Sequence, residues 1–190
     1  MHLLTERRLS ADLLWFIEFD TSDLVPAYAA RVRRLALGAL LVGAALILAG
    51  CTVPVAGVSG IGVDGNGDPV GYLMVCHDHI NAAQLGHGQD VWDGSWDAIQ
   101  PVTGFATFDL ADPGSEWSVD RPLATLTPQD TYTFYGATSD NSWSTSSIDF
   151  TLADLAQLEP GEVRYWSSRG SSGYVVGTAA DFQAHACDES

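Results

Sequence analysis

The chain has no lysine in its 190 residues. That excludes a Schiff-base lysine and a phosphate-gripping lysine. Its eight basic residues are all arginine, and five of them (Arg7, Arg8, Arg31, Arg33, Arg34) precede Cys51. After Cys51 three arginines (Arg121, Arg164, Arg169) face nineteen acidic residues. So acidic a segment does not attract nucleic acid, which is bound through cations that neutralise phosphates. It is also repelled by anionic lipid headgroups. No Gly-x-Ser-x-Gly elbow and no Gly-rich phosphate loop occur, so the commonest local signatures of serine hydrolases and nucleotide-binding enzymes are missing. No catalytic motif is found, and no cofactor is implied.

The chain also lacks an apolar run long enough to span a bilayer. Leu35 to Ala49 is apolar and uncharged but only fifteen residues long, against about 20 for a spanning helix. It fits the apolar core of a signal peptide, with basic residues before it and small residues after. Leu48-Ala-Gly-Cys51 closes the run.

Together these features resemble the signal and lipobox of bacterial lipoproteins. The resemblance implies cleavage before Cys51, a diacylglyceryl group on its thiol, and a place on the outer face of the cytoplasmic membrane. A covalent lipid at Cys51 would then be the anchor, since two or more acyl chains hold a protein stably where one does not. Lysine-free composition rich in Ala, Gly and Arg is similar to that of lipoproteins of high-GC Gram-positive bacteria. Thirty residues, with Asp12, Glu18, Asp20 and Asp23 among them, precede Arg31, an unusual start for a signal. Two readings stand. Translation begins at Val32 from a GUG codon, so that residues 1–31 are untranslated, or they form a real extension with a short amphipathic helix over Ala11–Glu18. The expected layout is therefore an extension over 1–31, a signal over 32–50, a short tether over 51–56 and one β-rich domain over 57–190. At no more than about 3.5 Å per residue, that tether keeps the domain within about 20–25 Å of its lipid.

Cysteine is scarce too. Besides Cys51 there are only Cys76 and Cys187. In an oxidising compartment a disulfide between them is the default reading. Free buried thiols and metal ligation are the alternatives.

Segments rich in Val, Ile, Leu and Tyr read as strands at Gly57–Val63 and Val70–Cys76, joined by Asp64-Gly-Asn-Gly-Asp-Pro69. Gly, Asn and Asp supply the positive φ angles of a hairpin turn. Further strands are expected at Gly104–Leu110, Trp117–Leu126, Thr131–Thr138, Ser146–Leu152, Glu162–Ser167 and Gly173–Val176. Thr151-Leu-Ala-Asp154 and Thr178-Ala-Ala-Asp181 read as capping boxes of two short helices, the first running to Leu158 and the second carrying Cys187 back to Cys76. Mostly strands with frequent turns predict a mainly β fold, a sandwich with short C-terminal helices. Leu126-Thr-Pro128-Gln-Asp-Thr-Tyr132 has the Leu-x-Pro-x-x-x-Tyr spacing of a tyrosine corner and resembles that of fibronectin type III domains. The resemblance runs from Leu126 to Thr151 and implies a fibronectin-III-like or immunoglobulin-like sandwich, with almost forty residues appended.

Three clusters carry candidate chemistry. Asp64-Gly-Asn66-Gly-Asp68 begins like a calcium loop, but Pro69 and Val75 stand where an EF-hand needs Gly and Glu, so a turn is the better reading. His77 and His79 fall on one side of an extended segment. A Cys76–Cys187 bond would bring His185 near them, a possible zinc or copper triad. Trp92-Asp-Gly-Ser-Trp96, read as a loop, offers Trp92 and Trp96 to a cell-wall glycan. The functional expectation is a lipid-anchored binding or structural module. Its partners would be the bilayer through its acyl chains and a wall glycan or a protein, with no nucleic acid. Metal binding and glycan binding are the alternatives.

Overall fold

The computed structural model describes residues 52–88, 91–168 and 173–189. Eleven described strands join one curled sheet: β1 (Val55–Val63), β2 (Pro69–Val75), β3 (Ile80–His87), β4 (Val91–Val102), β5 (Phe105–Asp109), β6 (Trp117–Arg121), β7 (Tyr132–Ala137), β8 (Ser144–Ser146), β9 (Ile148–Phe150), β10 (Glu162–Trp166) and β11 (Tyr174–Thr178). Two helices, α1 (Leu152–Leu155) and α2 (Ala179–His185), and a 3-10 turn over Ala186–Glu189 accompany the sheet among the described residues. The mainly β expectation with short C-terminal helices is met. The sheet runs β11-β10-β1-β8-β7-β3-β4-β6, with β2 on β1, β5 on β2 and β9 on β7 branching from that path.

Local chemistry accounts for the connections. Between β1 and β2 the Asp64 carboxylate accepts the Asn66 and Asp68 backbone N–H groups, both at 2.8 Å, and Gly67 takes φ +88°. Those backbone bonds hold the Asp64 carboxyl below its usual range. This is a hairpin turn, as expected. Thr151 and Asp154 cap α1, and Thr178 and Asp181 cap α2, each by the reciprocal bonds of a capping box. Helix α1 stops at Leu155 rather than Leu158. β6 stops at Arg121 rather than Leu126, because Pro122 has no N–H to offer a ladder.

The expected tyrosine corner forms its bond. Tyr132 Oη accepts the Thr127 backbone N–H at 2.7 Å. The strand that follows, β7, pairs with β3 along one edge and with β8 and β9 along the other. β8 and β9 are one strand in two pieces. On β8 the buried Thr145 hydroxyl accepts the Gly136 N–H at 2.7 Å and lies 2.6 Å from Ser59 Oγ.

The strands wrap two cores that share the β1–β2 wall. Ile61, Val63, Leu73 and Val75 face the larger core, with Trp96, Phe108, Trp117, Tyr132, Phe134 and Phe150. On the other face Val58 and Tyr72 meet Val163, Tyr165, Phe182 and Ala186. The residues after α1 complete this second core against the β1–β2 wall. β10 pairs with β1, β11 pairs with β10, and α2 lays Phe182 onto the wall. Phe182 sits edge-on to Tyr165 and Tyr72 at 5.1 and 6.3 Å.

The stretch between Cys76 and Gly104 differs most from expectation. It yields no strand by composition, yet it forms β3 and β4, with β4 the longest strand described. β3 reads Ile-Asn-Ala-Ala-Gln-Leu-Gly-His and is sandwiched laterally between β4 and β7. Its small residues are poor in intrinsic strand preference, and tertiary pairing overrides that preference.

Phe182 is fully buried in the smaller core. Phe182→Ala should therefore cost about 3–5 kcal/mol in urea unfolding. Trp166→Ala, at an exposed position, should stay within about 0.5 kcal/mol. Tyr132→Phe removes only the corner bond and should cost about 1 kcal/mol.

Candidate functional site

Cys51 lies outside the described residues. Cys76, just past β2, is bonded to Cys187 in the terminal 3-10 turn, across a sequence separation of 111. A loop of that length corresponds to about 4–5 kcal/mol in the chain-entropy model.

The proposed histidine triad is not assembled. Residues 76–79 are not extended, because β2 ends at Val75 and Asp78 adopts φ +56°. The premise that His77 and His79 share one side of a strand therefore fails. His79 Nδ1 bonds to its neighbour Asp78 at 2.6 Å, and His185 Nδ1 lies 3.4 Å from Asp188. Among the described residues no three His, Cys, Asp or Glu side chains are grouped as a metal ion requires.

The tryptophan pair separates as well. Trp92 and Trp96 lie on β4, not on a loop. Trp96 is fully buried, edge-on to Phe108 at 5.5 Å, and belongs to the core. Trp92 is 42% exposed. Its aromatic neighbour is Tyr135 on β7, with ring centres 6.4 Å apart and planes inclined by 55°.

Strand pairing explains this neighbourhood. Opposite Gly86 on β3 stand Trp92 on one side and Thr133 on the other, and Gln84 is opposite Tyr135. Gly86 brings no side chain between them. A Cβ there would run into the Val91 carbonyl and the Trp92 ring. The result is a cleft of about 190 Å³ lined by Gly86, His87, Val91, Trp92, Thr133 and Tyr135.

Polar groups surround it. Tyr135 Oη donates to Gln84 Oε1 at 2.6 Å, and Thr133 Oγ1 donates to Asp149 Oδ1 at 2.7 Å. At its end His87 Nδ1 bonds to the buried Asp93 carboxylate at 2.6 Å. The Asp93 hydrogen bond raises the His87 pKa. Partial desolvation opposes this, and the negative charges of Asp93 and Asp130 add to it.

No protein-family model, curated protein or solved structure matches this chain.

Tyr135, Gln84, Thr133 and the His87–Asp93 pair were not among the sequence candidates. Alternation along β7 marks Thr133 and Tyr135 as outward, since Tyr132, Phe134 and Gly136 are buried. What places them beside Trp92 is pairing between strands about forty residues apart.

A raised His87 pKa has a defined consequence. The stabilisation from His87 is complete below its unfolded value of 6.5 and is lost as pH rises through the higher folded value. In an NMR titration the His87 ring should turn over above pH 6.5. Asp93→Asn should bring that midpoint down. An unchanged midpoint in the variant would refute the pairing.

Proposed function

We propose that this chain is a lipid-anchored extracytoplasmic protein whose domain after Cys51 is a non-enzymatic binding module. The observation that carries the reading is the Cys76–Cys187 disulfide. It uses two of the three cysteines and leaves Cys51 as the thiol available for lipid. A structural disulfide also suits the oxidising space outside the membrane. The lipobox-like Leu48-Ala-Gly-Cys51 and the basic and apolar segments before it give the same address. β1 begins at Val55, so three residues separate Cys51 from the sheet. At about 3.5 Å per residue the four steps from Cys51 to Val55 reach about 14 Å, which keeps the domain close to the membrane surface.

The finer fold we propose is a fibronectin-III-like or immunoglobulin-like sandwich with a C-terminal addition. Two features support it. The strand after the tyrosine corner is flanked by β3 and by its own successor, as the F strand of such domains is flanked by C and G. Gly71 on β2 also approaches the Phe134 ring of β7, as facing layers of a sandwich do. Sandwiches of this kind offer an open sheet face to partners, and the cleft beside Trp92 lies on such a face.

Feeding an alkyne palmitate to a high-GC Gram-positive host expressing the full gene tests the anchor. The wild-type protein should take up label and partition into detergent. Cys51→Ala should lose both while keeping its disulfide. Label that persists in Cys51→Ala, or a wild-type protein that never labels, would overturn the reading.

A further inference from the structure

We propose that the open face of β4, β3 and β7 binds a neutral oligosaccharide, with Trp92 and Tyr135 as its stacking surfaces. The inference deepens the binding-module reading and does not depend on the lipid.

Three observations carry it. The first is aromatic. Trp92 keeps 42% of its surface in water although it is among the most apolar side chains available, and Val91 beside it keeps 46%. Tyr135 lies next to Trp92 across a glycine that leaves a dent between the rings. A pyranose presents C–H groups on its faces and hydroxyls round its rim, so flat apolar rings meet its faces.

The second is the polar surround. Tyr135 Oη occupies Gln84 Oε1, and among the described residues the Gln84 amide N–H groups have no protein partner. Asp149 accepts from Thr133, and Asp120 accepts from Ser95 at 2.8 Å. Each carboxylate has further lone pairs to accept sugar hydroxyls. A few placed polar groups around an apolar floor are the usual make-up of a small-molecule site.

The third is charge. Asp97 lies on β4, and Asp120 and Asp149 lie on β6 and β9, the strands that flank this face, with Arg121 of β6 paired opposite Ser95. The segment after Cys51 as a whole is strongly acidic. An anionic polymer is repelled from such a surface. A neutral glycan is not.

The test uses the full-length protein in a detergent without a sugar headgroup. Cellotetraose and chitotetraose are the neutral probes, and tetragalacturonate is the anionic one. Tryptophan fluorescence should change saturably with a neutral probe, and tetragalacturonate should bind at least about tenfold more weakly. Trp92→Ala and Tyr135→Ala should each weaken binding by about tenfold or more, the size expected of a central aromatic contact. Trp92→Phe should restore most of it, and Trp166→Ala, exposed on β10, should leave it unchanged. Absence of binding by both neutral probes, equal binding of tetragalacturonate, or binding that survives Trp92→Ala would each overturn the proposal. Palmitate labelling on the same preparations keeps the two readings apart. A labelled protein that ignores both sugars refutes the glycan site and leaves the anchor standing.

Discussion

Everything else in this domain is arranged round β1, a strand used on both edges and both faces. One edge pairs with β2 over the seven positions from Gly57 to Val63. The other is shared, with parallel β8 along Val55–Val58 and antiparallel β10 along Gly60–Gly62. A strand so enclosed has little room for side chains. A Cβ at Gly60 would meet the Val163 side chain at 2.5 Å, and one at Gly62 would meet the Tyr72 ring at 2.9 Å. The glycines are therefore a packing requirement, and they cost backbone entropy to order. The gain is that one strand forms a wall between two cores.

The second core gives the residues after α1 their structural role. Without β10, β11 and α2, the face of β1–β2 carrying Val58, Tyr72 and Met74 would stand in water, and half of β1 would be an open edge. Unpaired edges and apolar faces invite association with other chains. The C-terminal segment removes both hazards at once. Its attachment is the Cys76–Cys187 bond, which fixes the end of the chain to the end of β2. Phe182, the buried residue of α2, seats a helix of seven residues too short to be stable by itself. The covalent link and the buried ring hold it from either side.

Features whose physics is local were legible in the sequence. The Asp64–Pro69 turn, both capping boxes and the corner at Tyr132 each depend on a few neighbouring residues, and each is present. The disulfide was legible from scarcity, because the chain has so few cysteines. β3 and β4 were not legible, since Ala82, Ala83 and Gly86 are chosen by close neighbours on both sides rather than by strand preference. Asp78 shows a second limit. Its positive φ turns Cys76-His-Asp-His79 away from the extended form, and no residue nearby announces that. The candidate site was half legible. Trp92 was found, but Tyr135 and Gln84 join it only through pairing of β3 with β7.

The same limit bears on why Trp92 faces water while Trp96 does not, although both are separated by an even number of residues and would share a face on a regular strand. The register between β3 and β4 shifts after Leu85, which pairs with Gly94, while Gly86 pairs with Trp92. Asp93 is the extra residue of a β-bulge, the device that re-aims side chains along a strand. Its carboxylate goes inward and would be costly there without a partner. His87 supplies one at 2.6 Å, and the Asp93 carbonyl accepts the Ala124 N–H at 2.6 Å. With Asp93 held in, the alternation inverts and Trp92 is carried outward beside Tyr135. The exposed indole is thus the outer consequence of the hydrogen bond between His87 and the buried Asp93 carboxylate. A bulge that served only to bend the sheet would not need a carboxylate in the interior. Here the inward carboxylate has its partner in His87, at the bulge beyond which Trp92 turns outward.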